Sequence, residues 1–538
     1  MRGKKRNSIE KSRKKLPQFT TMNVMDGQAG LVNYTSLIFY SLTIDNILNI
    51  IVLIILAGVS INMLVGENGI ITQAQKSKED TERAEEQEKS DMVELEDEMN
   101  ESITEIKVEQ VTDAGPGELE IDEQNPDTYI INSIEDLVFF AYDVTNGNKY
   151  EGQTVKLGLS LNFNSTKSYV DAYRTNYYGY DGELKTLLTT GEGFKPIGTI
   201  YDADISTNYF EGTFDGNGNA IYNLYQNIEN SEYVTILGLF STNGGNIRNL
   251  RVENININAT TNNMYILFGG VTGRNNGIIE QCSTSGNINI QANGVKSIYG
   301  GGIDGQSTSS ETRIDQCSST LKINVNSSNT NSLNISGIGP ASEIKNSYFA
   351  GAISIIGENS GTKNVAGICA VNSNQSIINC YNIGKIESYF ENQNADQLFI
   401  SGIAVFCPNV ENCYNIGKIE CQNNRIHIAG IEANAQNGEV NNCHNIGTLT
   451  ATGNSITLGA LTGYTKNQII SNSKWFSASA EKGIGSINTE NVTQTNVEAI
   501  NDIENMPSIL SVINSENCFK EDINNINHGY PILNWQGE

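Results

Sequence analysis

Histidine is nearly absent from this 538-residue chain, with only His427, His444 and His528. None lies in an H-E-x-x-H pair, and no G-x-S-x-G elbow or phosphate-loop glycine-lysine pattern appears, which disfavours a metalloprotease or a triad hydrolase. No C-x-x-C pair stands among the nine cysteines, which argues against a zinc ribbon. Proline is scarce at eight residues, so this is not a disordered linker chain. Long apolar runs are missing apart from Ile47 to Val65, and helical periodicity is missing from Gly270 to Asn472.

What fills that second region is a repeat. A glycine and an aliphatic residue are followed by Asn or Gln with Cys or Ser: Gly301-Gly-Ile303 with Gln316-Cys317, Gly337-Ile338 with Asn346-Ser347, and Gly367-Ile368 with Asn379-Cys380. Gly402-Ile403 with Asn412-Cys413 and Gly430-Ile431 with Asn442-Cys443 continue it. Copies this short cannot bury their own apolar face, so a solenoid with a shared core follows. Short β-branched runs such as Ser376-Ile-Ile-Asn-Cys380 and Gly384-Lys-Ile-Glu387, broken by Asn, Gly and Ser, read as strands and tight turns. The expected fold is all-β, a parallel β-helix whose equivalent residues stack roughly 4.8 Å apart. The phrases beginning Cys380-Tyr-Asn-Ile-Gly, Cys413-Tyr-Asn-Ile-Gly and Cys443-His-Asn-Ile-Gly should lie one above another.

Charge is unevenly placed. The chain carries a formal net charge of -27, yet residues 1 to 43 hold eight Lys or Arg against Glu10 and Asp26, leaving 26 basic and 59 acidic residues downstream, a net of -33. The main body would repel phosphate backbones, so no nucleic-acid partner is expected. The basic start precedes Ile47 to Val65, long enough at the helical rise to cross a bilayer about 30 Å thick. The leader should hold the N-terminus in the cytoplasm and place the rest outside, as a single-pass cell-membrane protein. The expected organisation is a cytoplasmic leader over 1–43, a transmembrane or pilin-like helix over 44–66, a charged helical stalk over 67–110 and a linker over 111–127. Beyond it come an N-terminal cap region over 128–190, the repeats over 191–490 and a C-terminal cap over 491–538.

The caps have local signals. Ser133-Ile-Glu-Asp136 before Leu-Val-Phe-Phe-Ala-Tyr predicts a short amphipathic helix with a serine cap, ending at Gly147 and covering the first coil. At the other end Met506-Pro-Ser-Ile-Leu-Ser-Val-Ile predicts a short helix, and His528-Gly-Tyr-Pro-Ile-Leu-Asn-Trp535 a closing strand.

Two resemblances add to this reading. Residues 44 to about 76, with Leu56-Ala-Gly-Val59 and Gly66-Glu-Asn-Gly-Ile70, resemble the prepilin-type N-terminal helix of clostridial exported proteins. The resemblance implies a processing site at Tyr40 and Ser41 with Asp45 in the place of the pilin glutamate, although Tyr40 stands where that family has glycine. Phe194-Lys-Pro-Ile-Gly198, Phe210-Glu-Gly-Thr-Phe-Asp-Gly-Asn-Gly218, Gly238-Leu-Phe240 and Gly245-Asn-Ile-Arg-Asn-Leu250 resemble the GLUG-motif repeats of bacterial surface proteins. That family implies a right-handed β-helix on secreted or wall-associated proteins, some of them adhesins and some proteases in which the repeats are accessory.

Functional candidates are fewer. Cys282 and Cys317, and Cys380, Cys413 and Cys443, share one repeat position with Ser347 and Ser473, which favours small inward-facing residues over obligatory bridges. His444 replaces Tyr381 and Tyr414 at an outward ladder position. Asp202, Asp204, Asp215 and Asp304 could serve a polysaccharide-cleaving β-helix, but no matching pair recurs in later coils, so no enzyme activity and no cofactor are expected. Tyr381, Tyr389, Phe390 and Tyr414 are candidate contacts to a glycan or protein surface on a host or neighbouring cell, although an aromatic residue at a fixed coil position often packs against its own copies. The resulting reading is a membrane-anchored surface binding protein or adhesin. Its alternatives are a pilus or pseudopilus minor subunit that contacts other pilus subunits, and a β-helix enzyme acting on polysaccharide.

Overall fold

The computed structural model describes residues 119–166, 184–198, 208–229, 234–262, 264–358, 361–371, 376–390, 397–488, 491–501, 513 and 517–537. The chain divides into Met1–Gln110 and Val111–Glu538. The leader, membrane helix and stalk expected over 1–110 lie outside the described residues, as do Tyr40, Ser41 and Asp45. Among the described residues no helix is long and apolar enough to cross a membrane.

The second unit is a parallel β-solenoid, as the repeat predicts. Its register is visible in single columns of equivalent residues. One runs Phe214, Ile247, Ile279, Ile314, Ile344, Ile377, Val410, Val440 and Ile470, each paired with the next. A second runs Ile257, Ile288, Ile323, Ile353, Ile386, Ile419 and Leu449. A separate eight-stranded sheet, from Val234–Leu237 to Ser455–Gly459, supplies another wall. All members of the first two columns are buried, so the interior is a continuous aliphatic filling shared by successive coils.

Asparagine makes the bends. Asn249, Gln281, Gln316, Asn346, Asn379, Asn412, Asn442, Asn472 and Asn496 all have φ between 48 and 56°. This left-handed conformation is costly for most residues but tolerated by Asn, whose short amide can bond locally. Here the amides also bond from coil to coil, with Asn379 donating to Asn346, Asn412 to Asn379 and Asn442 to Asn412 at 3.1–3.2 Å. A deeper amide column links Asn382 to Asn415 at 2.7 Å and Asn415 to Asn445 at 2.8 Å, each amide also donating to the glycine carbonyl two residues on. The glycine before the aliphatic residue is a close approach: a Cβ on Gly367 would sit 2.2 Å from the carbonyl oxygen of Gly402.

The cysteine column follows the bend. All nine cysteines are free, and eight are buried. Cys380, Cys413 and Cys443 each donate from Sγ to the carbonyl two residues earlier, at 3.1–3.2 Å. Serine substitutes because its hydroxyl makes the same bond, as Ser347 does at 2.6 Å and Ser473 at 2.7 Å.

The front is closed as expected. A helix, α1, spans Ile134–Thr145, with Ser133 accepting from the Asp136 amide and the Asp136 carboxylate accepting in turn from the Asn132 amide. It buries Phe140 edge-on against Phe210 and Phe240 and stacked on Phe214. The parallel ladder starts earlier than the sequence suggests, because Thr128–Ile131 already pairs with Thr154–Leu157, and that strand with Thr213–Asp215. The back differs more. Thr493–Thr495 and Glu498–Ile500 still pair in the coils, while Phe519–Lys520 and Ile532–Leu533 form an antiparallel pair that packs on the flank. Residues 517–537 thus form a flap on the side of the stack, because their apolar residues meet a matching stripe there. The helix expected from Met506 lies outside the described residues except for Ile513.

Two carboxylates interrupt the aliphatic interior. Asp304 and Glu432 are fully buried, and each keeps one oxygen without a hydrogen bond. Burial pushes the Glu432 carboxyl up to about 8, against one stabilising bond from the Cys407 amide. Because the folded value lies above the unfolded one, this group's contribution is fully present below about pH 4.5 and is lost as pH rises through about 8. Glu432→Gln should therefore flatten the pH dependence of thermal unfolding between pH 5 and pH 9 and raise the midpoint at the alkaline end. An unchanged slope between pH 5 and pH 8 in scanning calorimetry would contradict this placement.

Candidate ligand-binding face

Each coil places one residue outward just after its inward small or aliphatic residue, which is Cys or Ser from Cys282 to Ser473. These residues form the column Arg251, Ser283, Ser318, Tyr348, Tyr381, Tyr414, His444, Lys474 and Glu498. Its three tyrosines stack in parallel, with ring centroids 4.9 Å apart at both steps and planes within 6°. The coil spacing imposes that geometry, since side chains at one register position repeat with the backbone.

The flap covers the tyrosines of this column. Phe519 and Leu533 join Tyr381, Tyr414 and Ile446 in one buried cluster. The polar ends of the rings are satisfied from the flap: Tyr381 donates to Gln536 at 2.8 Å, Tyr414 donates to the Pro531 carbonyl, and Asn527 donates to the Tyr414 oxygen at 2.7 Å. Trp535 donates from its indole nitrogen to the Asn346 carbonyl at 2.9 Å, and its ring packs at 5.8 Å from Tyr348. Burial raises both the Tyr381 and the Tyr414 phenol well above the ordinary range.

This corrects the sequence expectation for ligand contacts. Tyr381 and Tyr414 are buried beneath the chain's own C-terminal residues, and Phe390 is buried with the Lys363 ammonium 4.8 Å from its ring centre. Only Tyr389 reaches the surface, half-buried, with its hydroxyl 3.5 Å from Glu387. The acidic residues considered for catalysis are not brought together either. Asp215 pairs with Arg248 at 3.0 Å on the surface, Asp304 lies inside the core, and Asp202 and Asp204 lie outside the described residues. Among the described residues no group of three or more His, Cys, Asp and Glu side chains could hold a metal ion.

An open site begins where the flap stops. Trp535, Gly218, Asn249, Arg251, Gln281, Cys282, Ser283, Gln316 and Ser318 line a groove of about 430 Å³. Its floor is the start of the outward column, where serines replace tyrosine and leave room. Its wall is half-buried Trp535, and the amides of Gln281 and Gln316 meet at 3.3 Å on its rim. Arg251 stands at its end, paired with Glu253 at 3.0 Å. The groove thus combines one aromatic ring with neutral amide and hydroxyl groups and a single guanidinium. Sequence reasoning missed it because Trp535 is 189 residues from its partner Asn346. The only local signal was the change from tyrosine to serine along the column.

No family model matches the chain, and no curated protein matches it. Among solved structures it is similar to a "putative immunoglobulin A1 protease" from Bacteroides ovatus, at 16% identity and a TM-score of 0.40, covering 77% of this chain and 94% of that one. That likeness carries no argument about fold or chemistry.

His444 follows Tyr414 in the same column. It is buried, and neither ring nitrogen has a hydrogen-bond partner among the described residues. Burial, and then the Lys474 ammonium, push its imidazole down to about 4 from 6.5. Its contribution is therefore present above about pH 6.5 and is lost as pH falls towards about 4. Once intrinsic exchange rates are divided out, the protection of residues 517–537 should fall over that interval, and His444→Phe should remove the response. Exchange that is equally fast in the variant and the parent at pH 4.5 would refute the link.

Proposed function

We propose that the chain is a non-catalytic, membrane-tethered binding protein of the bacterial cell surface that holds a carbohydrate in the groove beside Trp535. The observation that carries the reading is the composition of that groove. A half-buried indole faces uncharged amides and hydroxyls on a rigid floor. An aromatic face receives the apolar side of a pyranose ring, while amides and hydroxyls bond its hydroxyl groups. Placing such groups on a packed scaffold reduces the ordering cost of binding.

Tethering is proposed from the sequence: eight basic residues precede an apolar stretch of bilayer length, which orients the later residues outward. The handedness of the coils is proposed as right-handed, the hand strongly favoured for crossovers between parallel strands. Absence of enzymatic activity belongs to the same proposal, supported by the separation of Asp215 from the buried Asp304.

The test is retention on an array of immobilised glycans by the full chain in detergent. Retention of one carbohydrate class is expected, with Trp535→Ala lowering affinity by roughly tenfold or more. The double change Gln281→Ala and Gln316→Ala should act similarly without touching the flap. Failure to retain any glycan, or full binding by both variants, would overturn the proposal.

A further inference from the structure

A second cleft lies on the same coils. Glu151, Tyr209, Glu211, Gly244, Asn276, Thr308 and Ser309 line an open depression of about 540 Å³. Its centre is built rather than incidental. Glu211 pairs with Lys149 at 3.1 Å, and the Lys149 ammonium also lies 4.6 Å from the centre of the Tyr209 ring. The next coil offers Gly244 at this point, where a Cβ would come within 2.6 Å of the Tyr209 ring, so the tyrosine lies across the corner only because that residue is glycine. One coil further, Thr308 donates its hydroxyl to the Asn276 amide oxygen. Glu151 lines the same depression, exposed and without an ion pair among the described residues.

The two clefts are aligned. Gly244 and Asn249 belong to one coil, Asn276 and Gln281 to the next, and in both cases the first residue lines one cleft and the second the other. Five residues at roughly 3.3 Å each keep them within about 17 Å of one another. Between them the surface is a strip of mutually satisfied charges, Arg248 with Asp215 and Arg313 with Glu280 at 2.9–3.0 Å. Such a strip presents no protruding apolar barrier and no uncompensated charge.

We infer that the Tyr209 corner is a second saccharide subsite, and that the ligand is an internal stretch of a polysaccharide chain lying across the first coils from Tyr209 to Trp535. This rests on the proposed carbohydrate reading of the Trp535 groove and specifies its ligand. Acceptor carboxylates at Glu151 and Glu211 take hydroxyl donors at one end, and the amides of Gln281 and Gln316 serve the other. Engaging both clefts with one chain makes the second contact intramolecular, so affinity should climb with chain length until both are reached and then level off.

The experiment is titration calorimetry of the full chain with oligosaccharides of the class retained on the array, in a series from about two to about eight units. The parent should gain roughly tenfold or more in affinity between the shortest and longest ligands. Tyr209→Ala, and separately Glu151→Gln with Asn276→Ala, should abolish that gain while leaving the short ligand's affinity unchanged. Trp535→Ala should weaken every length. Affinity that is flat with length in the parent, or a length gain that survives both corner variants, would overturn the second subsite while leaving the first in place. Loss of short-ligand binding in the corner variants would also overturn it, since the two clefts would then not be separate. Absence of binding at any length would sink the underlying carbohydrate reading instead.

Discussion

Every residue in this solenoid has its own counterpart one coil away as its nearest neighbour, so each position must be filled by something that can sit on itself. That single constraint sorts the side chains. Aliphatic residues satisfy it by packing, and fill the interior columns from Phe214 to Ile470. A primary amide satisfies it because it donates and accepts in line, so Asn346, Asn379, Asn412 and Asn442 chain together at the bend. Phenol rings satisfy it by parallel stacking at the coil spacing. Charged groups satisfy it only with a neutralising partner, as Arg248 has Asp215 and as the stacked Glu387 and Glu420 have Lys385 and Lys418.

The same constraint decides what could be read from the chain beforehand. Glycine, asparagine and cysteine recur because a turn, a left-handed bend and a small inward slot each admit few residue types, so the coil and its register were legible. The capping helix Ile134–Thr145 was legible too, from Ser133 and Asp136 ahead of an apolar run that stops at Gly147. The flap was not. Its residues pair with the solenoid through side chains over more than a hundred positions, as between Tyr414 and Asn527 or Tyr381 and Gln536, and no local pattern encodes such partners. The reading of Tyr381 and Tyr414 as exposed contacts failed for that reason: a repeated outward aromatic residue announces a stripe, not what lies on the stripe. The groove inherited the same blindness, since one of its walls belongs to the flap.

Where the core departs from self-compatibility, it does so with ionisable groups. Asp304 and Glu432 stand in the interior with an oxygen each left unbonded, and Lys363 is buried in the sheet that otherwise stacks Leu333, Leu398 and Ile426. Burial of a carboxylate is tolerated when it takes up a proton, and both acids are pushed in that direction. These positions make parts of the filling sensitive to proton activity although most of it is hydrocarbon.

The attachment of Trp535 to the Asn346 carbonyl returns the last residues of the chain to the middle of the stack. A load applied at the C-terminus would accordingly enter the solenoid near the coils of Asn346 and Asn379, leaving the later coils slack until the flap peels away. Peeling would break bonds one after another from the end inward, whereas separating the coils themselves would require whole ladders to yield together. Residues 517–537 would therefore leave the stack at a lower force than the coils leave one another.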